Sequence, residues 1–361
     1  MSRVEPRVLK GFRDYLPEVM APRERMLRAV QDVFEQFGYL PLATPALEYT
    51  EILMGKYGTE GDKLLYRFED NGGRDVSLRY DLTVPLARVV AQHTTLSKPF
   101  RRYQIAPVWR AEKPARGRFR EFLQCDVDVV GSESLSADFE CIQVGVAVLR
   151  ALGVDDFQIR LNDRRILDGL LLKVGIEDRA GQLAVLRAVD KLPKIGWDGV
   201  QKELETIEGM SKQGIDALHG FLHGTLDTLS DDTVEMSIAA AGIESLNQLL
   251  QWARTLGLEQ WVAVDLSIAR GLDYYTGTIY ETFLGAMPEI GSVMSGGRYD
   301  DLLTLFTKNT VPAVGISLGV DRLLAALLEL GVVDSKATES LVYITVFDES
   351  CLEYSQQVAQ Q

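Results

Sequence analysis

Around residues 119–130 the chain alternates so regularly that a β-strand with two different faces fits it best. Phe119, Leu123, Cys125, Val127 and Val129 fall on one side. Arg118, Arg120, Phe122, Gln124, Asp126 and Asp128 fall on the other. The first side is an ordinary core face. The second is polar in the middle of an apolar-flanked segment, and periodicity leaves two readings of it open. It meets solvent, as one face of an antiparallel sheet often does, or it floors a polar pocket.

Residues 101–110 form a second strand, joined to the first by a long charged loop. From Lys98 to Arg120 the cations are Lys98, Arg101, Arg102, Arg110, Lys113, Arg116, Arg118 and Arg120, and Glu112 is the sole acid. The whole chain nevertheless carries a net charge of −14. Such a balance argues against coating nucleic acid non-specifically, but it allows a local basic site. The run is either a solvated basic face or a place that meets something anionic. Phe100, Tyr103, Ile105, Val108, Trp109, Phe119 and Phe122 interleave with the cations, which favours a partly buried stretch.

The remaining pattern predicts helices over 22–38, 82–93 and 135–152. In the first, Met26, Val30, Val33, Phe34 and Phe37 recur at helical spacing, and Gly38 ends it. In the second, Pro85 sits in the first turn, where proline is tolerated. Residues 40–48, with Pro41 and Pro45, read as extended. From about 163 to 258 the chain reads as largely helical, with a less strongly patterned middle at 190–235 that suits an inserted domain. Strand character returns at 263–283 and 311–317, around the glycine-rich Ser295–Asp300, and a helix follows from about 320 to 330. This order predicts an α+β fold with mostly antiparallel strands.

No run of about 18 apolar residues is present, so no membrane span is predicted. The opening Met-Ser-Arg-Val-Glu-Pro-Arg has no apolar signal core and reads as cytosolic. Cys125, Cys141 and Cys351 are scattered and make neither a disulfide framework nor a metal spacing. His219 and His223, four apart without further ligands, do not make a metal site.

Three arginines are the candidates for carrying chemistry. Arg322 falls in the first turn of its helix, where a cation opposes the macrodipole by about 0.3–1 kcal/mol. It is therefore paired with a local acid such as Asp321, or placed for an anionic ligand. Arg110 and Arg270 sit at other strand positions, and the guanidinium fork suits phosphate oxygens. No GxxxxGK[ST], strand-linked GxGxxG or nucleophile elbow occurs. A nucleotide would have to be held by arginines on an antiparallel sheet.

On those residues the chain resembles the class II aminoacyl-tRNA synthetases. Phe37-Gly38-Tyr39 through Thr44-Pro45-Ala46-Leu47-Glu48 is similar to their motif 1. Val108-Trp109-Arg110-Ala111-Glu112 with Gly117-Arg118-Phe119-Arg120-Glu121-Phe122 is similar to motif 2. Gly315 to Gly319, followed by Val320-Asp321-Arg322-Leu323, is similar to motif 3. Gly11-Phe12-Arg13-Asp14-Tyr15-Leu16-Pro17, Ala269 through Gly277, and Ser295-Gly296-Gly297-Arg298-Tyr299-Asp300 resemble signatures of the histidyl-tRNA synthetase family within that class.

The resemblance implies a class II antiparallel sheet flanked by helices, with an inserted, mainly helical domain. It implies catalytic roles for Arg110, Arg270 and Arg322. ATP would meet Arg110, Glu112, Arg118, Phe122 and Arg322. Histidine would meet Asp81, Thr83, Gln124, Asp128, Arg270, Tyr274 and Tyr275. Gln124 and Asp128, about 13 Å apart along one strand face, could serve opposite ends of one amino acid, and on this view the polar face looks like a substrate floor. ATP and Mg²⁺, the histidine tRNA, a homodimer and a cytoplasmic setting follow from the same resemblance.

Asp81 and Asp128 stand where many members carry glutamate, as in the eukaryote-like branch, and Ser295 replaces a frequent glycine. The implied division is a catalytic domain at 1–169 and 259–335 and an insertion at 170–258. Residues 336–361 would begin an anticodon-binding domain, with Ser340–Val346 as its first strand, and most of that domain is absent from the chain. The alternative is a non-catalytic regulatory subunit of ATP phosphoribosyltransferase, which shares the fold.

Overall fold

The computed structural model describes residues 3–54, 63–230, 233–269, 275–333 and 342–360. Helix α1 (Pro17–Gln36) begins earlier than its apolar spacing suggests, because Pro17 occupies its first position and supplies the fixed φ that a helix start needs. It ends before Gly38, whose φ of 77° continues no helix. Met26, Val30, Val33 and Phe34 are buried as the spacing requires, and α1 lies against α4 (Leu135–Ala151). Full burial of each such side chain contributes about 1.5–3 kcal/mol.

Strands β1 (Leu40–Pro41), β2 (Leu47–Tyr49), β3 (Arg67–Glu69) and β4 (Asp75–Leu78) precede α3 (Thr83–Gln92), with the one-turn α2 (Thr50–Leu53) after β2. Two ten-residue strands follow, β5 (Phe100–Trp109) and β6 (Glu121–Val130). After α4 come β7 (Phe157–Asp163), α5 (Arg164–Lys173), α6 (Arg179–Asp190), α7 (Leu192–Leu204, broken at Gly196), α8 (Lys212–Leu222) and α9 (Met236–Thr255). The last part contains β8 (Val262–Val264), β9 (Thr278–Leu284), β10 (Met294–Arg298), β11 (Ala313–Gly319), α10 (Val320–Glu329) and α11 (Leu352–Gln360).

The main sheet has eight strands in the order β1-β5-β6-β11-β10-β9-β7-β8, and β2-β4-β3 form a smaller one. All six central strands pair antiparallel, as expected; the edge pairs β1–β5 and β7–β8 are parallel. Helices cover the apolar face, where α4 lies on β10 and β11. The mainly helical 163–258 segment is as the sequence suggests. It is joined to the sheet through α9, which packs along α5 and across β7, β8 and β9. Asp163, Asp178 and Ser211 cap α5, α6 and α8 by accepting backbone N–H groups, which satisfies donors that the first turn leaves open.

Of the strand expected at 340–346, residues 340 and 341 lie outside the described residues, and 342–346 join no strand among the described residues. No helix among the described residues is long and apolar enough to cross a membrane.

Candidate active site

The polar side of β6 is buried. Gln124 is 9% exposed, and Asp126 and Asp128 are 3% exposed each. Solvent therefore does not take this face; β5 and β11 flank it and a cleft opens above its Gln124 end.

Arg110, Glu112, Arg118, Phe122, Gln124 and Arg322 line that one cleft together with Ser317. Arg110 follows the last residue of β5. Its guanidinium lies between the rings of Tyr80 (4.3 Å) and Phe122 (5.1 Å), and its Nε donates to the Tyr80 carbonyl (3.2 Å). Stacking of this kind holds a planar cation while leaving its edge available to anions. Glu112 stands between Arg110 (4.0 Å) and Arg118 (3.5 Å). Arg322 projects from the first turn of α10, and its Nη1 donates to the Ser292 carbonyl (2.5 Å). Across the cleft Gly117 lies over the Arg322 stem, so the loop between β5 and β6 closes above it.

Asp321 is held from another quarter. Its buried carboxylate accepts from Arg23 Nε (3.2 Å), Arg13 Nη2 (3.3 Å), the Tyr15 hydroxyl and the Leu123 N–H (2.7 Å). Burial beside this carboxylate pushes the Tyr15 hydroxyl up to about 12. The opening Arg13–Tyr15 stretch thus anchors the start of α10, and Gly11 accepts the Arg120 N–H (2.8 Å) to fasten the same stretch to the β5–β6 loop.

Beneath the arginines the chemistry reverses sign. Arg102, fully buried on β5, stands opposite Asp128 in the register, and its Nη2 lies 2.7 Å from Asp128 Oδ2. That pair is close but not aligned as a hydrogen bond, and Arg102 Nε and Nη1 find no acceptor among the described residues. The Tyr299 hydroxyl donates to Asp128 Oδ1. Burial raises the Asp128 carboxyl above its usual range, opposed by Arg102. Burial also pushes Asp126 up to about 7, with Arg102 opposing and Asp128 and Asp81 adding to it. Asp126 and Asp128 thus both lie within electrostatic reach of Arg102, and Asp81 within reach of both acids, so acidic groups outnumber the one guanidinium, a balance that suits a cationic ligand.

Two glycines make this packing possible. A Cβ on Gly315 would fall 2.1 Å from Asp128 Oδ1, and one on Gly297 would fall 2.9 Å from the Tyr275 ring. The glycine-rich stretches thus clear room for Asp128 and Tyr275.

Asp81 and Thr83 stand at the start of α3. Asp81 Oδ1 accepts the Val84 N–H (3.0 Å), so part of its capacity goes to the helix terminus. Arg270 and Tyr274 lie outside the described residues. Arg102, Asp126, Tyr299 and Ser317 carry no role in the sequence-based expectations, although the alternation already puts Asp126 on the polar face. An arginine inside the strand expected at 101–110 was the available signal for Arg102. Ser317 and Tyr299 reach the site through register and long-range packing, which one strand's periodicity does not reveal.

A family model described as histidyl-tRNA synthetase matches residues 11–323. A histidine–tRNA ligase from Rhodopirellula baltica is 50% identical over 96% of this chain and 79% of its own length. The crystal structure of a histidyl-tRNA synthetase from Nostoc sp. PCC 7120 superposes with a TM-score of 0.86 at 33% identity, covering 99% of this chain and 84% of that one. A Bacillus halodurans structure titled ATP phosphoribosyltransferase regulatory subunit/histidyl-tRNA synthetase shares the fold, with a TM-score of 0.75 at 24% identity over 90% of this chain and 84% of that one.

Proposed function

The chain belongs to the histidyl-tRNA synthetase family, and from that premise we propose how its residues divide the work. The activity is that of a histidine–tRNA ligase: histidine is activated with ATP and then joined to its tRNA. In the first step a histidine carboxylate oxygen attacks the α-phosphorus, and pyrophosphate leaves with the electron pair of the broken P–O bond. In the second a hydroxyl of the terminal ribose attacks the activated carbonyl, loses its proton, and AMP leaves.

Arg110 holds the α-phosphate, Arg322 the γ-phosphate, and Arg118 and Glu112 complete the ATP contacts, with Phe122 beside them. Arginines stabilise the charge that grows in the transition state without offering a nucleophile. Mg²⁺ neutralises phosphate charge when bound. Glu112, which lines the cleft, would be a carboxylate able to meet it, since this ion takes one or two carboxylates together with substrate phosphates. Asp81, Thr83 and Gln124 receive the α-ammonium group, and Asp128 with Tyr274 and Tyr275 reads the imidazole. Arg270 bridges the histidine carboxylate and the α-phosphate. The aspartates at 81 and 128 are those of the eukaryote-like branch.

The observation that carries these roles is the meeting of Arg110, Arg118 and Arg322 with Gln124 in one cleft, above a buried acidic floor. Histidine-dependent ATP–pyrophosphate exchange tests it. Exchange that needs histidine and collapses in Arg270→Ala supports the assignment. Absent exchange in a folded, histidine-binding protein would favour the regulatory-subunit reading, which the ligase names of the curated relatives do not.

Two further roles belong to the same reading. Residues 170–258 form an inserted helical domain on the catalytic body. The small sheet, with Leu47, Tyr49 and Phe68 exposed, meets a second copy in a homodimer. Sedimentation showing a concentration-independent monomer would contradict the dimer.

A further inference from the structure

Ser317 stands opposite Asp126 in the β6–β11 register, beside Gln124 on the same face. Its hydroxyl donates to Asp126 Oδ1 (2.5 Å) and accepts from Gln124 Nε2 (2.8 Å). The direction of this chain follows from proton counting. A serine hydroxyl has one proton, and an ionised carboxylate can only accept. The proton therefore goes to Asp126, and Ser317 turns a lone pair toward Gln124. Only the amino edge of the carboxamide can meet a lone pair, so Oε1 must point the other way. That oxygen is buried and has no hydrogen-bond partner among the described residues, although Gln124 lines the cleft. A buried acceptor carries a desolvation penalty until a donor reaches it.

We propose that Asp126 and Ser317 are positioning residues that orient the Gln124 carboxamide so that Oε1 receives an N–H of the substrate's α-ammonium group. This rests on the assignment of Gln124 to the ammonium group made above. The inverted amide would present its own donors to a cation and oppose binding. The charged groups facing Asp126 are Arg102 from β5, Asp128 on β6 and Asp81 from the segment before α3. Burial and the two acids raise its carboxyl to about 7 against the opposing Arg102, so the relay sets progressively as pH rises through that value. Protonation would let Asp126 donate to Ser317, freeing the Ser317 proton for Gln124 and releasing the amide to invert.

The test compares two ligands of the full chain at pH 8 by calorimetric titration: L-histidine and its deaminated analogue, 3-(imidazol-4-yl)propanoate. Ser317→Ala should weaken histidine binding by about tenfold, the scale of one charge-assisted hydrogen bond, and the analogue by less than about twofold. Retained analogue binding shows that the variant is folded. Ser317→Thr, which keeps the hydroxyl, should restore the preference. Asp126→Asn should lose a smaller factor, because a neutral amide can present either edge to Ser317. Equal losses for both ligands would overturn the relay. If Gln124→Ala erases the preference while Ser317→Ala keeps it, the Gln124 assignment stands and the relay falls. If Gln124→Ala leaves the preference intact, the assignment itself fails.

Discussion

The two storeys of the cleft solve opposite problems. At the mouth, Arg110 and Arg118 remain 26% and 44% exposed at their side chains, and stacking or single contacts hold them. On the floor, Arg102 on β5 and Asp126 and Asp128 on β6 are sealed; Arg102 faces Asp128 across the strand pair, and Ser317 on β11 holds Asp126. Wet, long-reaching cations tolerate a flexible polyphosphate and respond to charge. Dry, register-fixed polar groups respond to hydrogen-bond pattern, because a wrong ligand leaves them unpaired at full desolvation cost. The mouth is built for strength of attraction and the floor for discrimination.

The comparison breaks most visibly on the floor. Asp128→Ala leaves Arg102 buried without its partner and should cost about 3–5 kcal/mol of stability, read from urea unfolding. An unchanged midpoint would mean that the floor is not the locked assembly described. Arg110→Ala at the mouth should lower kcat of exchange by roughly 10²–10³-fold with little loss of stability, the usual scale for removing one donor to developing charge.

Asp126 provides a test by pH. Its carboxyl is raised to about 7, so the folded state holds its proton more tightly than the unfolded chain does. Stability from that proton is complete below the unfolded value, about pH 4, and is lost as pH rises through about 7. Relative to Asp126→Asn, the wild type should therefore lose on the order of a few kcal/mol between those limits. Parallel stability curves would contradict this.

The smallest effect belongs to Arg118. Its exposure predicts that Arg118→Ala raises the KM for ATP by less than roughly tenfold, and that salt shrinks the effect.

Much of this was legible in the sequence. The alternation around 119–130 marked a strand with one polar face, and β6 carries that face into the interior. The position of Arg322 at a helix start marked an oriented cation, and it lines the cleft. Of the two readings open for Arg322, a local acid such as Asp321 or an anionic ligand, the first meets an acid already engaged elsewhere. The Asp321 carboxylate gathers Arg13, Arg23 and Tyr15, some 300 positions away in the chain. Local spacing cannot reveal such a hub. Arg102 against Asp128, and Ser317 against Asp126, were hidden for the same reason. Each pair is set by strand register, and register depends on the packing of the whole sheet rather than on either strand alone.

The most direct test of the division is exchange measured over a grid of ATP and histidine concentrations in Arg322→Ala and Gln124→Ala. Two separate storeys predict that Arg322→Ala raises the KM for ATP and spares that for histidine, and that Gln124→Ala does the reverse. Equal shifts of both constants in both variants would contradict it.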